Sequence, residues 1–260
     1  MTFQGAIFDV DGVLVDSPHE KAWREAMREL MESDWADVRP RTTWSPGAFT
    51  SLVYQQEVSG KPRMAGALAA VGHFGGPDVE RRAAEYADRK QDMVVRLIEA
   101  GDFTAFPDAL RFLLAVKDRG LRAAAASSSK NAGLLMGKVR VDTFADEQGV
   151  TSSSVRTGLT LVDLFDVDVS GRDFARGKPD PEMFLTAAHE LGVAPEAAIV
   201  VEDAAAGVAA AKAGGMTALG IARADDADLL AAAGADLVVT SLDDVDLDGL
   251  VAGRLTAKNG

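Results

Sequence analysis

The feature that most constrains this chain is an alternation. Short apolar runs at residues 6–10, 121–126, 198–201, 217–221 and 236–239, with a weaker one at 164–167, are separated by helix-patterned stretches at 109–119, 181–191 and 204–213. A parallel pair of strands needs a long crossover between its members, and a helix is the usual one. The expectation is therefore α/β: a doubly wound, mostly parallel sheet covered by helices on both faces. Ligands in such sheets sit at the carboxyl ends of the strands, so the polar residues closing each run carry the functional reading.

Residues 20–98 break the alternation. Trp23, Met27, Leu30 and Met31 form one helical stripe; Ala83, Tyr86, Ala87, Val94, Leu97 and Ile98 form another, inside a long helix predicted over 78–100. This reads as a helical domain inserted after the first strand, covering 17–98, with 1–16 and 99–260 as the core domain. Phe106-Pro107-Asp108 marks the return to the sheet, with Asp108 expected as a helix N-cap. The Ser/Thr/Gly-rich stretch 146–158 reads as a surface loop.

Composition narrows the partners. Asp and Glu outnumber Lys and Arg by 40 to 27, a net charge of −13, which argues against nucleic acid. A small anionic substrate would need local cations. No cysteine is present, which removes disulfide and thiolate chemistry and fits a reducing compartment. The start lacks a signal-peptide pattern, and no apolar run approaches the roughly 18 residues of a membrane span. A cytoplasmic protein with no membrane partner is expected, and a monomer, since nothing suggests an obligate interface.

The first run ends in Asp9-Val10-Asp11-Gly12, and Asp16 follows within eight residues of Asp9. Residues two apart on a strand share a face, and carboxylates that close repel unless a cation or a proton lies between them. The alternatives are a site and a solvated acidic loop. The other runs end or lead into Ser127-Ser128-Ser129-Lys130-Asn131, Gly177-Lys178-Pro179-Asp180 and Glu202-Asp203. If the sheet is parallel, these clusters share its carboxyl edge. Asp9, Glu202 and Asp203 could then hold Mg²⁺, a hard cation that also takes phosphate oxygens. With Mg²⁺ and Lys178 neutralising the approach, Asp9 can attack a phosphoryl group while Asp11 moves the proton. Ser127 supplies a hydroxyl for a phosphate oxygen. Asp16 is read as bonding to backbone at the hinge, or as a third carboxylate of the site.

The segments "DVDGVLVDS", "ASSSKN", "GKPDPEMF" and "VVEDAAAGVAAAKAGG" stand in this order, and together they resemble the four signatures of the haloacid-dehalogenase superfamily. The insert resembles the small helical cap of its β-phosphoglucomutase-like subfamily. The resemblance implies Asp9 as nucleophile and Asp11 as acid/base. It implies Ser127, Ser128, Asn131 and Lys178 as phosphate binders, and Asp9, the main chain at Asp11, Glu202 and Asp203 as Mg²⁺ ligands. An aspartate at position 11 favours phosphoryl transfer over dehalogenation.

In the insert, "VSGKPRMAGAL" places Arg63 where the subfamily grips the remote phosphate of a small sugar phosphate, and "DRKQD" places Lys90 at the spacing from it that the subfamily pattern has for a substrate-site lysine. Lys90 also continues the apolar stripe of its helix, so it faces the buried side or snorkels over apolar surface. His19 matches a histidine that cooperates with that lysine, although it stands closer to Ser17 than the family pattern has it; an exposed helix-start histidine is the alternative. Extra chain lies around 143–162, as a surface elaboration or a border of the entrance. The expected activity is interconversion of β-glucose 1-phosphate and glucose 6-phosphate through a 1,6-bisphosphate. A capped sugar-phosphate phosphatase and a catalytically silent binding protein are the competing readings. His73, His189, Trp23, Trp35 and Trp44 are read as structural.

Overall fold

The computed structural model describes residues 2–258. The chain enters on β1 (Gly5–Phe8) and β2 (Val15–Asp16), then turns to helices: α1 (His19–Glu32), the short α2 (Ser51–Val53), α3 (Arg63–His73) and α4 (Val79–Glu99). It returns through β3 (Thr104–Ala105) and alternates from there: α5 (Pro107–Asp118), β4 (Arg122–Ala125), α6 (Ala132–Lys138), α7 (Val141–Gln148), β5 (Val167–Asp168), α8 (Glu182–Leu191), β6 (Ala198–Glu202), α9 (Ala205–Ala213), β7 (Thr217–Ile221), α10 (Ala227–Ala232), β8 (Leu237–Val239) and α11 (Leu247–Val251).

Two compact units result. One takes the residues up to Asp16 and from Thr104 onward; the other is Ser17–Phe103. The first is built on a six-stranded sheet in the order β5-β4-β1-β6-β7-β8, with every neighbouring pair parallel. This is the α/β architecture expected from the alternation. β1 is central, with Ile7 opposite Ala124 on one side and Val200 on the other. Its side chains alternate between two helix-covered faces. Ile7 packs with Ala124, Val200, Met183, Phe184 and Val208 on the α8–α9 side. Phe8 meets Phe112 and Phe165 edge-on, at 6.1 Å each, on the other. A two-residue antiparallel ladder, β2 with β3, joins the chain on either side of the insertion.

The second unit is helical, and the two predicted stripes form its core: Trp23, Met27, Leu30 and Met31 of α1 cluster with Ala83, Tyr86 and Ala87 of α4. Trp23, Trp35 and Trp44 are all buried in it, as packing residues. His73 stands 3.5 Å from Glu57, and His189 of the first unit is exposed.

Three local expectations are corrected. The run at 164–167 is not a strand throughout: Leu161–Leu164 is a 3₁₀ turn and only Val167–Asp168 joins the sheet. Phe165 is drawn onto Phe8, and Asp166 meets β4 at Ala123 alone, where its N–H donates to the carbonyl and its carboxylate accepts the N–H, both at 2.8 Å. The 146–158 stretch begins inside α7, which Gly149 closes at φ +62°, and only then becomes a loop. That loop is tied to Asp118 by Ser152 and Ser153 at the end of α5. This is the amino edge of the sheet, opposite the strand ends that carry the polar clusters. Asp108 is not an N-cap: Phe106 occupies that position, and the Asp108 carboxylate turns to Arg223 and the Leu242 N–H. Among the described residues no helix is long and apolar enough to cross a membrane.

Candidate active site

The parallel sheet brings the four polar clusters to one edge. Asp9 is the first residue beyond β1, and its N–H still donates to the Val201 carbonyl at 3.1 Å. The chain then turns tightly: Leu14 and Val15 both donate to the Val10 carbonyl, and Gly12 donates to Val15 at 2.8 Å. Gly12 has φ +83°, which a side chain would resist. A Cβ there would also lie 2.0 Å from Asp203 Oδ2. Glycine therefore does two things here: it permits the turn, and it lets the Asp203 carboxylate rest on the loop.

Lys178 reaches into this group from the connection before α8. Its Nζ donates to Asp9 Oδ1 at 2.7 Å and to Glu202 Oε1, and it lies 4.9 Å from the Phe184 ring centre. Asp9, Lys178, Glu202 and Asp203 are all buried. Glu202 Oε2 accepts the Ala204 N–H at 3.2 Å. A Cβ at Gly207 would fall 2.0 Å from the Glu202 carboxylate, so the first turn of α9 is a cradle for that side chain. The Ala/Gly run in α9 thus does more than let the helix pack closely on the sheet. A small residue five positions after a strand-end glutamate was the one available signal for this second job.

On the β4 side, Ser127 Oγ donates to Asp11 Oδ2 at 3.2 Å and accepts the Ser129 N–H. The Ser127 N–H is itself held by Ser170 Oγ at 3.2 Å. Ser128 and Asn131 lie on the same loop, with Asn131 buried at the head of α6. The structure thus joins Asp9, Lys178 and Glu202 in one contact chain, and Ser127 and Asp11 in another.

The electrostatics are lopsided. Burial pushes the Asp9 carboxyl up to about 8; Lys178 opposes the shift, while Glu202 and Asp11 add to it. Burial, with Glu202 and Asp9 beside it, holds Asp203 well above the ordinary carboxylate range against the pull of Lys178. Lys178 is raised in turn: burial works against its charge, but Asp9 and Glu202 outweigh it. Four carboxylates face one ammonium.

That surplus of hard oxygen donors is the chemistry a divalent cation fits. Among the described residues, however, no three carboxylates or imidazoles stand as a ready-made metal cluster. Glu202, one of the expected ligands, is already engaged within the protein. Glu202 does not project as a free ligand, because Lys178 holds one of its oxygens and the Ala204 amide the other. A cation would share Glu202 with both, while Asp203 accepts no hydrogen bond from the described residues.

The other expected residues belong to the helical unit. His19 opens α1 and is buried, which corrects the picture of an exposed helix-start histidine. Its Nδ1 lies 3.1 Å from Lys90 Nζ. Lys90 is 5% exposed and sits 5.0 Å from the centre of the Trp23 ring, so it does not snorkel to solvent. Arg63 is exposed at the first position of α3. Asp108, read from the sequence only as a helix cap, pairs near the same loop with Arg223, which the sequence did not single out.

Comparison with known proteins agrees with this geometry. The chain is 34% identical to a β-phosphoglucomutase of Mycobacterium tuberculosis over 92% of its own length and 90% of the relative's. It is 30% identical to the validoxylamine A 7'-phosphate phosphatase of Streptomyces hygroscopicus subsp. limoneus, over 94% of this chain and 96% of the other. The crystal structure of the archaeal β-phosphoglucomutase from Pyrococcus sp. strain ST 04 superposes with a TM-score of 0.66 at 28% identity, covering 96% of this chain and 97% of that one. Residues 3–215 match the haloacid dehalogenase-like hydrolases, a span that takes in Asp9, Asp11, Ser127, Lys178, Glu202 and Asp203, and the chain belongs to that family of phosphoryl-handling enzymes.

Proposed function

We propose that this enzyme is a β-phosphoglucomutase that works through an aspartyl phosphate on Asp9. The observation that carries the mutase reading is the buried His19–Lys90 contact in the helical unit, with Arg63 exposed at the head of α3. A phosphatase needs none of these for chemistry, since water is its acceptor. A mutase must hold a second phosphate and keep water from the phosphoenzyme until a sugar hydroxyl arrives. Arg63 suits the second phosphate because its fork can donate two parallel hydrogen bonds. The helical unit serves as the cap in this reading.

At the sheet edge, Lys178 holds Asp9 Oδ1 and leaves the other oxygen to attack phosphorus. Asp11, steadied by Ser127, gives its proton to the departing oxygen and later takes one from the incoming hydroxyl. Ser127, Ser128 and Asn131 bind the transferring phosphate. Mg²⁺, held by Asp9, Asp203 and the main-chain carbonyl of Asp11 and sharing Glu202 with Lys178, would supply the positive charge that offsets the phosphoryl oxygens. In this reading the enzyme is cytoplasmic and acts as a monomer on a small sugar phosphate.

The test is a ³¹P NMR time course with Mg²⁺, β-glucose 1-phosphate and a trace of glucose 1,6-bisphosphate. Growth of glucose 6-phosphate with little inorganic phosphate is the expected result. Inorganic phosphate as the main product would replace the mutase reading with a sugar-phosphate phosphatase, the activity named for the Streptomyces relative.

A further inference from the structure

We propose that Arg223 is a positioning residue for the loop that carries Asp11 and Gly12, an inference that rests on the aspartyl-phosphate reading of that loop. Arg223 lies two residues beyond β7, with its side chain 17% exposed. Its guanidinium is used on every side. Nη1 donates to both oxygens of Asp108, at 3.1 and 2.9 Å. Nε donates to the Gly12 carbonyl at 3.3 Å, and Nη2 to the Val13 carbonyl at 3.1 Å. One flat face lies 3.9 Å from the centre of the Phe106 ring.

The far side of this clamp is rigid. Asp108 sits in the first turn of α5 and also accepts the Leu242 N–H at 2.8 Å and Ser241 Oγ at 3.4 Å. Arg223 therefore ties two successive carbonyls of the turn to a helix and to a second loop. The near side is the part that matters for chemistry. Gly12 follows Asp11 directly and is the surface on which Asp203 rests, so a shift of the Gly12 backbone moves both carboxylates. Few-tenths-of-an-ångström errors of this kind are costly where a phosphoryl group must be met in line.

Lysine cannot replace this arginine. An ammonium is a point charge that can pair with Asp108 or reach one carbonyl, but it cannot hold a carboxylate and two carbonyls in a fixed plane. A purely structural ion pair would behave differently: its loss would lower stability and leave the site of each folded molecule unchanged.

The two roles separate in one experiment. Fluoroberyllate, a tetrahedral phosphoryl mimic, is titrated with Mg²⁺ into wild type, Arg223→Lys and Arg223→Ala, followed by ¹⁹F NMR and normalised to folded protein, with thermal melts alongside. Capture in Arg223→Lys is expected to weaken about tenfold or more. In Arg223→Ala, millimolar methylguanidine but not ammonium should restore much of the loss, which also keeps the test open if the lysine variant folds poorly. Capture equal to wild type in either folded variant overturns the positioning role, whatever the melts show. A wild type that captures no fluoroberyllate overturns the aspartyl-phosphate reading itself, and this inference falls with it.

Discussion

Two ionic clusters, one buried and one partly buried, flank the loop at residues 9–13, and they differ in how their charges balance. Asp108 and Arg223 match one acid to one base; Asp108 completes its bonding with Leu242 and Ser241, and Arg223 completes its own with backbone carbonyls. Burial pushes the Asp108 carboxyl up, but the bonds from Arg223 and Leu242 prevail and hold it below its ordinary value. On the other side, Asp9, Asp11, Glu202 and Asp203 share one lysine, and Asp9 and Asp203 are raised. The first cluster is finished as folded. The second is finished only when something positive arrives. On the proposed reading, this acidic surplus that costs stability is kept because a cation and a phosphoryl group are to be received there.

The sharpest way to break this contrast is Asp9→Asn. Turnover is expected to fall at least about a thousandfold while the fold persists, because the amide keeps the shape and loses the nucleophile. Wild-type turnover in the ³¹P assay would remove Asp9 from the chemistry. Next in size is Asp108→Ala, which leaves Arg223 without its counter-charge. It should lower stability by about 3 kcal/mol, read as a lower denaturant midpoint at unchanged slope. A neutral result would mean that the balanced cluster is ornamental.

The smallest effect sharpens the comparison through pH. Asp9 and Asp203 titrate higher folded than unfolded: Asp9 keeps between the ordinary 3.8 and about 8 a proton that the unfolded chain has released, and Asp203 likewise keeps its proton well above 3.8. Their contribution to metal-free stability is therefore present below that window and lost as pH rises through it. Asp108, lowered by folding, runs the other way: its contribution is present above 3.8 and lost as pH falls. Asp203→Asn should accordingly melt a few degrees above wild type at pH 8 without Mg²⁺, with the gap closing towards pH 4 and narrowing when Mg²⁺ is added. A gap independent of pH would mean that Asp203 is not held up by its neighbours.

Legibility followed the range of the interactions. The parallel sheet, the helical insert and the clustering of Asp9, Ser127, Lys178 and Glu202 were readable because each rests on local periodicity or on a strand end, and the direction of the strands then brings the ends together. The long α4 stripe even predicted that Lys90 would point inward, and it does. Asp108 was misread because Pro107-Asp108 looks like any helix start, while its true partner lies 115 residues on. Arg223 showed nothing at all: a polar residue after a strand is ordinary until its neighbours in space are known.

The sequence by itself determined which residues face inward, where the strands end, and that several acids and one lysine would share an edge, because side-chain period and strand direction are properties of the local chain. Only the tertiary structure decided how those charges are paired. Lys178 went to Asp9 and Glu202, Arg223 to Asp108 and the Gly12–Val13 carbonyls, and Asp203 was left resting on a glycine. Such choices depend on distances of a few ångströms between segments far apart in the chain, 24 residues for Lys178 with Glu202 and more than a hundred for the others, and no local pattern encodes them.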